Sequence, residues 1–298
     1  MTQNVRRAVV TAGTAGLGFE TARALVRAAY EVTVIGRNAE RGRRAVDTLR
    51  AESAGGEVRF LPADLSSLAE VRDVGRTIAA AGPLHLLVNN VGGMYVDRWE
   101  SVDGIEGAFV LNHLTPYLLT DALTDSLAAG AAESGEPSRV VQVTSSAMVA
   151  AVPDFTDVDL PGEYYGLAVT GRAKLANLTW ALDVAGPLAE RGITLVVADP
   201  GPAATPNAAA MEQRMLPPAM RGMWDAILEG VKRPADEAVR SIVRAATAPE
   251  LTAGTIVEPD GGSGEGLRAA VTPELTAAVR ALTDRTLGSS SLRAGGVA

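Results

Sequence analysis

The sequence predicts a single doubly wound α/β domain, a parallel sheet with helices on both faces and a methionine-rich lid. Three observations carry that expectation. Short Val/Ile-rich runs alternate with longer helical patterns as far as about residue 200, the runs are continuously apolar, and a glycine-rich turn joins the first run to the first helix. Continuous rather than alternating hydrophobicity marks strands covered on both faces, and helices between them enforce parallel pairing.

The expected strands are residues 8–11, 32–35, 58–61, 84–89, 140–143 and 193–198, with a further edge strand at 254–257. After the first comes Thr11-Ala12-Gly13-Thr14-Ala15-Gly16-Leu17-Gly18, opening onto a helical pattern over 20–29. Glycines there let backbone approach a pyrophosphate, and the helix N-terminus offers free amides and a positive dipole end. The second strand ends in Gly36-Arg37-Asn38, nineteen residues after Gly18. An acidic residue at that place suits ribose hydroxyls, whereas the Arg37 guanidinium suits a 2′-phosphate, so NADP(H) is favoured over NAD(H).

Residues 206–230 break the rhythm. They hold Met211, Met215, Met220, Met223 and Trp224, split by Pro217 and Pro218. Methionine adapts to irregular apolar surfaces, so a lid over an apolar substrate and ordinary packing of two short helices both suit this composition. Residues 1–262 read as one domain, and 263–298 as an extension with one helix beginning near Thr272-Pro273-Glu274, ending before Gly288, and a disordered tail over 289–298.

Composition narrows the function. The 298 residues carry a net charge of −8, no cysteine and only two histidines, His85 and His113. Nucleic acid is an unsuitable partner for so acidic a chain, and Cys/His metal sites are excluded; no metal is expected. No run approaches the roughly 18 apolar residues of a membrane span, and no secretory leader precedes the first strand, so a cytoplasmic protein is expected.

Asp64-Leu65 follows the third strand and Asn89-Asn90-Val91-Gly92 the fourth. Asn112 lies in a helix, Ser145-Ser146 ends the fifth strand, and Lys174-Leu175-Ala176-Asn177 and Pro200-Gly201 with Thr205 come after it. As an ordered set over about residues 5–260 these motifs resemble the Rossmann-type short-chain dehydrogenase/reductase family, and the phrases at Asn112 and Lys174 its retinol-dehydrogenase-like branch. The resemblance implies that Gly16, Leu17 and Gly18 contact phosphates, Asp64 the adenine, and Asn90 and Gly92 the ribose. It places Lys174 on the nicotinamide ribose, Pro200 and Thr205 on the carboxamide, Ser146 on the substrate oxygen and Asn112 on a relay water. Gly13, Thr14, Leu65 and Gly201 complete the cofactor set. It also implies a homo-oligomer built on helical patterns 104–129 and 173–190.

This chain departs from the family pattern at Ala12 and Val91, each bulkier than usual beside the cofactor, with Gly13 as a source of compensating freedom. A third departure bears on chemistry. The family's proton-transferring tyrosine stands four residues before the lysine, on the same helix face, and here that residue is Thr170. An aliphatic hydroxyl is far less acidic than a phenol. Tyr164 and Tyr165, ten and nine residues before Lys174, are the nearby phenols. The preferred expectation is therefore a non-redox reaction of a small apolar oxygenated substrate (cyclisation, dehydration or isomerisation) with NADP(H) structural or lost. The alternatives are an NADP(H)-dependent reductase using Tyr164 or Tyr165 as acid, and a cofactor-binding non-enzyme.

Overall fold

A computed structural model describes residues 5–53, 56–259, 261–262 and 264–288; the tail expected to be disordered, 289–298, lies outside the described residues. Seven strands form one parallel sheet in the order β3-β2-β1-β4-β5-β6-β7. They are β1 Arg7–Val10, β2 Glu31–Gly36, β3 Val58–Pro62, β4 Leu86–Asn89, β5 Ser138–Val143, β6 Ile193–Ala198 and β7 Ile256–Val257. Chain order reverses between β1 and β4, which opens a crevice at the strands' carboxyl ends.

Alternate residues of each strand explain the continuous apolar runs. Val9, Leu87 and Val140 face one core layer with helices α3 (Leu68–Ala80), α5 (Thr115–Ser134) and α6 (Gly166–Glu190). Val10, Val88 and Val141 face the other, with α1 (Gly16–Arg27), α2 (Ala39–Ala51) and α10 (Arg240–Thr247). A short α4 (Gly107–Phe109) runs through a π-helical turn, Val110–Leu114, into α5. The Met-rich segment folds as α7 (Pro206–Ala209), two 3₁₀ turns and α8 (Trp224–Gly230), and α9 (Ala235–Ala238) precedes α10.

The C-terminal segment contains two helices rather than the one expected, α11 (Glu265–Ala269) and α12 (Pro273–Leu287). Thr272 caps α12 by accepting from the Leu275 amide at 3.2 Å, and Gly288 ends it in the left-handed region. Val279 and Leu282 of α12 join the core of α6 and α5. Helix α6 is consequently buried without interruption from Gly166 to Ala181, sheet on one side and α12 on the other. The homo-oligomer expectation reserved that outer side, 173–190, for a second copy.

His113 in the π turn anchors this closure. Its Nε2 lies 2.7 Å from Thr283 Oγ1 of α12, and burial, reinforced by the positive charge of Arg172, pushes the imidazole down to about 3. The folded ring stays neutral while an unfolded one protonates below about 6.5. The stability due to neutral His113 is thus complete above about pH 6.5 and lost as pH falls toward 3. The slope is about 1.4 kcal/mol per pH unit. Urea unfolding of wild type and His113→Gln between pH 7 and about pH 4 checks this; parallel curves for the two proteins would contradict it.

Candidate active site

A cleft of about 1040 Å³ occupies the crevice at the carboxyl ends of β1, β4 and β5. It runs from the glycine turn past Arg37 and Asp64 to Asn112, Ser146, Thr170 and Lys174, with Met211, Met220 and Met223 of the methionine-rich segment along its wall.

The turn after β1 is built for close approach. A Cβ on Gly18 would lie 2.4 Å from the Ala12 carbonyl oxygen and 2.5 Å from Asn90 Nδ2. Asn90 is itself fixed, its backbone amide donating to Thr11 Oγ1 at 2.9 Å and its side chain to the Thr11 carbonyl at 3.0 Å. Gly16 adopts φ +53°, and Thr205 and Pro206 of the lid come within 3.5 Å of where its Cβ would sit. Thr14, Leu17, Leu65, Gly92, Pro200 and Gly201 also line the cleft.

Gly13 does not. Its amide donates to the Ile35 carbonyl at 3.1 Å, and a Cβ there would meet Val34 at 2.8 Å, so it packs the turn onto β2. The conformational freedom expected of Gly13 is needed instead at Ala12, whose φ is +51°. A left-handed alanine costs roughly 1–2 kcal/mol, the consequence of lacking glycine there.

Arg37, largely exposed, and Asp64, half-buried, face each other across the far end at 3.9 Å. Arg41, one turn into α2, lines the same end. The sequence shows it only within a short arginine cluster; its placement follows from Asn38 capping α2, with Oδ1 accepting from the Arg41 amide at 2.8 Å.

At the other end the side chains converge. Asn112 sits in the π turn, a geometry that recurs at functional sites. Its Nδ2 donates to the carbonyls of Ala108 at 2.8 Å and Gly93 at 2.9 Å, and its Oδ1 accepts from the Gly93 amide at 3.2 Å. A Cβ on Gly92 would lie 2.4 Å from Asn112 Oδ1 and 3.2 Å from Lys174 Nζ. Lys174 donates to the Val143 carbonyl at 2.8 Å; burial pushes its ammonium down to about 8, with the charge of Asp199 opposing. Ser145 spends its hydroxyl accepting from the Ala147 amide at 3.1 Å, capping the 3₁₀ turn Ser146–Ala150. Ser146 itself is exposed in the cleft. Thr170 is buried and donates to the Gly93 carbonyl at 3.3 Å.

Tyr164 and Tyr165, expected as substitute acids, do not line the cleft. Tyr165 donates to Glu163 at 2.6 Å on the surface. The Tyr164 hydroxyl is sealed in protein without a hydrogen-bond partner among the described residues, and burial raises its pKa. The aromatic hydroxyl that does line the cleft is Tyr95, three residues past Gly92 in the loop after β4, a residue missed in the sequence. A tyrosine in the loop at a strand's carboxyl end was the available signal.

The dinucleotide fits this cleft: a cradle that a Cβ would fill at Gly18, a helix N-terminus beside it and arginines at the far end. Among the described residues no cluster of metal-ligating side chains occurs, and no helix is long and apolar enough to cross a membrane.

Comparison with known proteins places these features in a family. Polyprenol dehydrogenase of Mus musculus is 42% identical over 199 residues, 66% of this chain and 59% of that protein. Retinol dehydrogenase 12 of Mus musculus is 33% identical over 194 residues, 65% of this chain and 60% of that protein. The match thus spans about three fifths of these relatives' own length. The Pseudomonas aeruginosa RhlG/NADP active-site complex superimposes with a TM-score of 0.67 at 27% identity, covering 86% of this chain and 95% of that one. These relatives, named for dehydrogenation, overturn the expectation of a non-redox reaction. Loss of a phenol at Thr170 led to that expectation, but it removes one acid position and leaves the cofactor cleft intact. Residues 6–216 match the family described as short chain dehydrogenase, and the chain belongs to it.

Proposed function

We propose that this protein is a nicotinamide-coenzyme-linked oxidoreductase that interconverts an alcohol and a carbonyl on an apolar substrate, with NADP(H) preferred. The convergence of Lys174, Asn112 and Gly92 within one small volume of the cleft that holds the glycine turn supports this reading above all. A bound coenzyme supplies the hydride chemistry. Lys174, already turned toward β5 by Val143, would hold the coenzyme's ribose, and Pro200, Gly201 and Thr205, which line the same cleft, would hold its carboxamide end. The Ser146 hydroxyl, exposed in the cleft, donates to the substrate oxygen and orients it.

The names of the relatives suggest a long isoprenoid alcohol, and Met211, Met220, Met223 and Ile227 give the lid side an adaptable apolar wall for such a chain. A cytoplasmic setting accompanies the proposal, in keeping with a chain free of cysteine.

Preference for NADP(H) is supported by Arg37 and Arg41 at the adenosine end. A well-formed guanidinium contact to phosphate is worth about 1.5–3 kcal/mol. Titration of both reduced coenzymes should give at least tenfold tighter binding of NADPH, and Arg37→Gln should erase most of that margin while leaving NADH affinity within about twofold. Coenzyme turnover with a polyprenol tests the reaction. A protein that binds neither coenzyme, or consumes none with any alcohol or carbonyl, would overturn the assignment.

A further inference from the structure

We infer that Tyr95 is the proton donor to the substrate oxygen, taking from a different element the part for which the helix carrying Lys174 offers only Thr170. This deepens the oxidoreductase reading and rests on it.

Elimination leads to Tyr95. Of the five tyrosines, Tyr95 alone lines the cleft. Neither histidine does, and His113 is sealed against α12. At the reacting end the other proton-bearing side chains are the hydroxyls of Thr144, Ser145, Ser146 and Thr170, each far less acidic than a phenol, the Asn112 and Asn207 amides, and the Lys174 ammonium, which donates to Val143 and on the proposed reading holds the ribose.

The loop bearing Tyr95 is fixed at points around it. Asn112 holds Gly93 through both its amide and its carbonyl, and Thr170 holds the same carbonyl from α6. The ring stands edge-on to Trp99 with centroids 5.2 Å apart. Two residues on, Asp97 forms a two-pronged pair with Arg214 of the lid, at 2.7 and 3.3 Å. The hydroxyl, by contrast, makes no hydrogen bond among the described residues. It lies 2.9 Å from the position a Cβ on Gly93 would take, a point also 3.0 Å from Asn207 Nδ2 of the lid helix α7. A clamped loop with an uncommitted phenol on the wall of a reaction cleft supplies the first need of general acid catalysis, a positioned group with a proton to give. Burial pushes this phenol up to about 12, which keeps it protonated and still leaves it more acidic than an alcohol. Thr170, in this arrangement, is a positioning residue: its hydroxyl steadies Gly93 in the space a larger side chain would claim.

In the reductive direction the carbonyl carbon gains a hydride from the reduced coenzyme, which leaves oxidised. The C=O π pair moves to oxygen, the Tyr95 O–H bond breaks, and its proton joins that oxygen. Water in the cleft then returns a proton to the phenolate.

The test compares wild type with Tyr95→Phe, whose fold is checked by thermal melting. In wild type the carbonyl stretch of bound, isotope-labelled cyclohexanone should fall to lower frequency in infrared difference spectra, and in Tyr95→Phe that shift should be lost. Coenzyme affinity should stay within twofold, and kcat should drop at least a hundredfold, the usual scale for a lost general acid. A wild type that turns over carbonyls with Tyr95→Phe within threefold of it would overturn the inference while leaving the oxidoreductase reading intact. A wild type without turnover sinks that reading, and the infrared shift still decides the residue: a shift unchanged in Tyr95→Phe, or a ketone that does not bind, overturns the role of Tyr95.

Discussion

Replacing Arg172 by leucine should destabilise the protein by about 3 kcal/mol, the largest single-residue loss of stability we expect outside the glycines. Arg172 is 2% exposed, and its guanidinium donates to the backbone carbonyls of Asp154, Asp157 and Val158 while lying 4.9 Å from the centre of the Phe155 ring and 5.7 Å from that of Phe109. Three hydrogen bonds from a charged donor are worth roughly 1.5–3 kcal/mol each. The cost of burying a cation offsets several kcal/mol of that sum, which sets the net loss near 3. The segment released, 154–158, leads from the Ser146 turn to α6, so activity should fall together with the urea midpoint. A loss below about 1 kcal/mol at unchanged m-value would show that water replaces the guanidinium at those carbonyls without penalty.

The largest effect on activity from the smallest change should come from Gly92→Ala. One methyl group would stand 2.4 Å from Asn112 Oδ1 and 3.2 Å from Lys174 Nζ, closer than real Cβ contacts allow at the first. Asn112 is pinned by three hydrogen bonds and the lysine by Val143, so the loop after β4 must yield. Tyr95 moves with it. Displacement of a reacting group by about 1 Å can cost a hundredfold, and we expect at least that loss in kcat with the melting temperature lowered by only a few degrees. Near-normal turnover in Gly92→Ala would mean that the Asn112, Lys174 and Gly92 cluster is not where the reaction occurs.

The sheet was legible because it was covered on both faces: Val9 and Val10, or Val140 and Val141, face opposite core layers. The coenzyme end was legible because glycine and arginine carry their reasons locally. Gly18 needs the space now shared by Ala12 and Asn90, and Arg37 directly follows a strand. What stayed hidden depended on contacts between distant parts of the chain. Gly13 reads like its neighbours, and only the packing of Val34 beneath it removes it from the cleft. Tyr164 and Tyr165 are close to Lys174 in sequence, yet the chain enters α6 with one ring sealed and the other held by Glu163. Tyr95 reaches the cleft through a loop whose course is set by Asn112, Thr170 and Trp99, residues 4 to 75 positions away. The reaction class was misjudged because the motif was read along one helix alone, whereas the chain's relatives are named for dehydrogenation.

The dependence of α6 on α12 also has a meaning in time. A ribosome delivers the sheet, the π turn and all of α6 well before Val279, Leu282 and Thr283 exist to cover Trp180, Tyr117 and His113. Until then the nascent domain carries an open aromatic patch across the π turn, α5 and α6, the kind of surface that chaperones hold and that neighbouring chains can capture. Folding of this protein is therefore expected to wait for α12, and a stop codon just before Thr272 should yield aggregates rather than a smaller enzyme.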